Sequence, residues 1–87
     1  MSGPNAGIIR RQCKLLKKIV GASSLDSQSE TRLLNNLDAI AQLAGERPDD
    51  ADYRLKAMTR YLKETVNARG EPILSGEQYD KFWSSNH

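Results

Sequence analysis

Cysteine occurs once in these 87 residues, at Cys13. No disulfide can close within the chain, which excludes a disulfide-stapled scaffold. A reducing compartment is expected, so the location reads as intracellular, cytoplasmic or nuclear. Histidine also occurs once, at His87, the last residue. A terminal imidazole has no second group to orient it as a base, and one histidine with one cysteine cannot furnish a zinc site. The chain has no glycine-rich phosphate loop and no nucleophile elbow. Asp49, Asp50 and Asp52 resemble the start of a calcium loop, but Arg54 and Lys56 follow and the closing glutamate is missing. Helix-terminal carboxylates are the simpler reading. No catalytic residue, cofactor or metal is therefore expected, and the chain does not read as an enzyme. Long apolar runs are missing too. Nothing approaches the ~20 residues that cross a bilayer, so no membrane span is expected. No uncharged apolar core follows a basic start, as a secretory signal would require.

Acid is missing from one region only. Residues 1–25 hold Arg10, Arg11, Lys14, Lys17 and Lys18 with no carboxylate, a charge of +5, while the remainder carries −3. The net charge of +2 hides this asymmetry. The length fits one domain, residues 1–87, with residues 1–6 expected as a flexible lead-in. A chain this short buries about 60–65% of the surface its unfolded form exposes, so its core is one layer of contacts.

What is present is helical periodicity. Wound as a helix, Ile8–Val20 places Ile8, Ile9, Cys13, Leu15, Leu16, Ile19 and Val20 in one arc of roughly 160°. The five cations fall in the opposite arc, and Gln12 alone breaks the apolar side. Asn5 is the expected cap and Gly21 the expected stop, with Lys17 and Lys18 in the last turn. The region is Arg/Lys-rich and acid-poor, as transit peptides are, but matching amphipathic segments follow at once and favour membership of the fold.

A serine-rich linker, Ala22–Ser29, leads to a second helix. Ser27 and Glu30 have capping-box spacing, and Gly45 is the expected stop after Ala44. Leu33, Leu37, Ile40 and Ala44 form its central stripe, flanked by Leu34, Ala41 and Leu43. So wide an apolar arc places this helix at the centre. Glu46–Asp50 reads as a loop, with Asp49 or Asp50 capping a third helix over Ala51–Ala68. Leu55, Met58, Leu62 and Val66 are its expected core stripe, with Tyr61 and Thr65 at one edge, and Gly70 its stop. Ile73 and Leu74 are apolar loop residues that would pin the tail. Ser75 and Gln78 again have capping-box spacing, before a short helix over Gly76–Ser84 that carries Tyr79, Phe82 and Trp83 on one face. Nothing alternates like a strand. The expected fold is all-α: a small antiparallel three-helix bundle with a short fourth C-terminal helix.

The basic face of the first helix is the strongest functional signal. Arg10, Arg11, Lys14, Lys17 and Lys18 can meet an acidic surface or track phosphates, although a merely solvated face is the bland alternative. No aromatic is interleaved to stack bases. Lys56, Arg60 and Lys63, near Tyr53, form a smaller patch, which i,i+4 pairs from Asp52 and Glu64 would offset. The second and third helices could be read as a helix-turn-helix, with Ala41 and Gly45 at the spacing that motif favours, but two features count against it. Their loop is too long, and Glu46, Asp49, Asp50 and Asp52 at the start of the would-be recognition helix would repel phosphates. Phe82 and Trp83 are candidate anchors for a partner or a second copy, making a homodimer through the C-terminal aromatics a further reading. Docking onto the bundle is the simpler one. The expected function is a non-enzymatic adaptor or regulatory module that docks an acidic protein or peptide. The alternative is a small nucleic-acid-binding regulator that uses the same cations.

Overall fold

The structure is a computed structural model that describes residues 5–84. Four helices follow in order: α1 (Ala6–Ala22), α2 (Ser27–Glu46), α3 (Pro48–Glu64) and α4 (Gly76–Ser84). Helices α1, α2 and α3 pack against one another, with α4 laid beside α3. The fold is the expected all-α bundle. Arg10 lies by Gly45 and Lys17 by Asp38, so α1 and α2 run antiparallel.

Asn5 caps α1 as expected. Its side-chain oxygen accepts from the amides of Gly7 and Ile8 at 2.8 and 3.2 Å. Ala6 is already the first residue of α1, and residues 1–4 of the expected lead-in lie outside the described residues. Gly21 does not stop α1. The helix continues to Ala22, and Ser23 closes it: its amide donates to the Val20 carbonyl and its hydroxyl to the Ile19 carbonyl. Lys17 and Lys18 consequently fall short of the last turn. Asp26, not Ser27, caps α2, accepting from the Ser29 amide at 3.1 Å. Hydrogen bonding from the Ser29 side chain, and then from its amide, holds the Asp26 carboxyl below its ordinary value.

Gly45 also fails to stop its helix. Helix α2 runs to Glu46, and a single residue, Arg47, separates it from α3. The five-residue loop is thus a one-residue hinge. Pro48 explains it: proline fits the first helical position, where the amide has no helical partner. Asp49 and Asp50 lie in the first turn of α3 rather than at its cap, where their charge still suits the helix dipole.

The buried side chains Ile9, Cys13, Leu16 and Val20 of α1 meet Leu33, Leu37, Ile40 and Ala44 of α2 and Ala51, Leu55 and Leu62 of α3. The expected stripe of α2 is therefore wholly buried. That of α3 is not. Helix α3 ends at Glu64 rather than Ala68, so Val66 leaves the helix and is 56% exposed, and Met58 is half-buried. Buried Thr59 takes a core place instead, its hydroxyl donating to the Lys56 carbonyl at 2.8 Å.

The chain between α3 and α4 doubles back. Val66 and Pro72 form an isolated antiparallel bridge. The amides of Ile73 and Leu74 donate to the carbonyls of Thr65 and Leu62, satisfying acceptors that the helix end leaves open. The Asn67 side chain accepts from the amides of Arg69 and Glu71, and Gly70 takes a positive φ of 80° at the turn. Ile73 and Leu74 are buried as expected, and the Ala68 amide ties the turn to the Ser24 carbonyl. The capping box of α4 forms on both sides: the Gln78 amide donates to Ser75 Oγ and the Ser75 amide to Gln78 Oε1, each at 3.1 Å.

Candidate docking surface

Helix α1 presents its five cations on one side, but packing divides them. Arg10 reaches across to α2, where its Nε donates to the Ala41 carbonyl at 3.2 Å. The guanidinium rests over Gly45, close to the C-terminal end of α2, where the helix dipole favours positive charge. Lys17 Nζ lies 2.6 Å from Asp38 Oδ1, an ion pair across the same interface. Arg11, Lys14 and Lys18 are exposed and make no ion pair among the described residues.

The apolar arc of α1 is divided in the same way. Its centre is core, whereas Ile8 and Leu15 remain 41% and 49% exposed. At about 100° per residue, Ile8 and Leu15 adjoin Arg11 and Lys18 on the wheel. Helix α1 therefore offers one mixed strip, three cations beside two aliphatic side chains. Cys13 lies on the other side of the helix, in the core at the edge nearer Lys17. Burial pushes its thiol up from 9.0 to about 11, with the Asp38 carboxylate adding to the rise and Lys17 opposing it. A thiol so placed stays protonated and unreactive at neutral pH.

The second patch does not hold together. Lys56 pairs with Asp52 at 3.1 Å, the i,i+4 pair expected of the sequence, and sits 6.0 Å over the Trp83 ring. Lys63 lies 4.5 Å over the Tyr79 ring. Both lysines thus clasp α4 through cation–π contacts. Arg60 keeps an exposed position with neither an ion pair nor a cation–π contact among the described residues, and Tyr53 lines a groove between α2 and α3. The C-terminal aromatics point inward. Phe82 belongs to the core and meets Trp83 edge-on, with ring centroids 5.1 Å apart. Phe82 is consequently not an exposed anchor, and half-buried Trp83 packs against the core. His87 lies outside the described residues.

The fold places this chain in the class of small antiparallel helical bundles. Beyond that class, no family model, curated protein or solved structure matches it. No helix among the described residues is long and apolar enough to cross a membrane.

Proposed function

We propose that the chain is a non-enzymatic interaction module whose α1 strip docks an acidic protein segment. The supporting observation is the set of cations left over by the fold. Arg10, Lys17, Lys56 and Lys63 are engaged internally, while Arg11, Lys14 and Lys18 stand free beside Leu15 and Ile8. Carboxylates would answer the charges and apolar side chains would cover the aliphatic pair.

A nucleic-acid partner fits less well. With Lys56 and Lys63 turned to α4, phosphate tracking would rest on three cations of α1 and on Arg60 of α3, and no aromatic lies among the α1 cations to stack a base.

The test is an NMR titration of the full chain with a glutamate-rich peptide containing two leucines, in parallel with a mixed-sequence duplex. The peptide is expected to shift resonances along Ile8–Lys18. The variant R11E/K14E/K18E should keep its helicity and bind about tenfold or more weakly, a loss of at least 1.4 kcal/mol. Unchanged peptide binding by the variant overturns the proposal. So does tighter, steeply salt-dependent binding of the duplex.

A further inference from the structure

On the side of the α2–α3 pair away from α1 lies an open groove of about 570 Å³, and none of its lining residues belongs to α1. Its floor is the buried pair Leu33 and Ile40, and half-buried Leu43 and Met58 form its walls. Tyr53 and Tyr61 stand on the α3 lip, 75% and 53% exposed. Tyrosine, arginine and methionine at one apolar trough are the residue types enriched where proteins meet.

The charge of the groove says what it accepts. Its only charged lining residues are Arg32 and Arg54, and neither makes an ion pair among the described residues. A second copy is a poor occupant, because a two-fold pairing of this groove with itself sets arginines only against arginines. An acidic occupant meets no such conflict. The shape narrows the choice further. The lining runs from Arg32 to Leu43 on α2, about 16 Å at the helical rise, or three turns. Helix α1 already fills the opposite side of the same helix pair, and a trough between two helices is the seat that a third helix fits. Exposed Ala39 and Ala57, one on each side of the trough, leave room for its approach.

We infer that the α2–α3 groove binds an amphipathic helix of a partner protein, with an aliphatic stripe facing Leu43 and Met58 and flanking carboxylates on Arg32 and Arg54. This surface is separate from the α1 strip, and either can fail without the other.

The probe is a capped helical peptide of about four turns with leucines at i, i+3, i+4 and i+7 and glutamates on the flanks. Its twin carries lysine in place of each glutamate. Titrated into the full chain, the glutamate peptide is expected to shift resonances within 32–43 and 53–61 saturably. A39E/A57E alters two exposed positions, so the fold should persist by circular dichroism while affinity falls at least tenfold. The lysine twin should also bind at least tenfold more weakly, and R11E/K14E/K18E should leave binding within twofold. Absence of shifts, or shifts confined to Ile8–Lys18, overturns the inference. Equal binding of the twin, or indifference to A39E/A57E, does so as well. A protein that sediments alone as a dimer, and as a monomer once A39E/A57E is introduced, identifies a second copy as the occupant and also overturns it.

Discussion

Gln12 and Thr59 are the polar side chains buried among the described residues, and they differ in how far the sequence foretells them. Gln12 falls inside the apolar arc of α1, and its burial follows from angular position alone. Thr59 is unmarked, because a threonine becomes a core residue only when its hydroxyl finds a backbone acceptor, here the Lys56 carbonyl. Cys13 carries a consequence for pH. The folded chain holds the thiol proton up to about 11, whereas the ordinary value is 9.0. The folded state therefore binds more protons than the unfolded state between these values, and this contribution to stability is complete below pH 9.0 and is lost towards 11. Urea unfolding of wild type and Cys13→Ala should give parallel stability profiles below that window. Within it, the gap between them should narrow as pH rises. A constant gap would mean that the thiol is solvated in the folded chain.

At the level of helices, Gly21 and Gly45 make a matched pair. Each is the penultimate residue of its helix, and neither has a positive φ. Both look like stops in the sequence, yet the chain runs through them, because Ser23 and Arg47 supply the closing hydrogen bonds two residues later. Their surroundings differ. A Cβ on Gly21 meets nothing within 4 Å, whereas one on Gly45 would lie 2.6 Å from Arg10 Nη2. Gly21→Ala should stabilise the protein by up to about 1 kcal/mol through helix propensity. Gly45→Ala should gain less, since it displaces the guanidinium from the Ala41 carbonyl. Paired urea titrations check the ranking, and an equal gain would show that the Arg10 contact contributes nothing. The boundaries of α4 and its capping box were legible because they depend on residues three apart. The early end of α3 was not. Thr65 and Val66 are β-branched, and the Asn67 turn competes with continued helix, but only the returning Ile73 and Leu74 amides make that exit stable.

For the whole molecule, stability is unevenly spread. Helices α1, α2 and α3 share one core, whereas α4 has nine residues and rests mainly on Phe82 and the clasp of Lys56 and Lys63. Native-state hydrogen exchange should find α4 amides opening with a lower free energy than the core amides of α1 and α2. Phe82→Ala should widen that difference, and uniform protection across all four helices would show that α4 folds as one unit with the rest. The sequence by itself determined four amphipathic helices, the stripe of α2, and the caps at Asn5 and Ser75, because periodicity and capping act over a few neighbouring residues. It also marked five cations on α1 without separating them. Only tertiary structure decided which stay free. Arg10 and Lys17 meet partners 31 and 21 residues away, and the α3 lysines meet rings on a helix that a wheel of α3 cannot place. A helical wheel assigns each side chain a direction about its own axis. What lies in that direction depends on the register between helices, which is set by packing of the shared core.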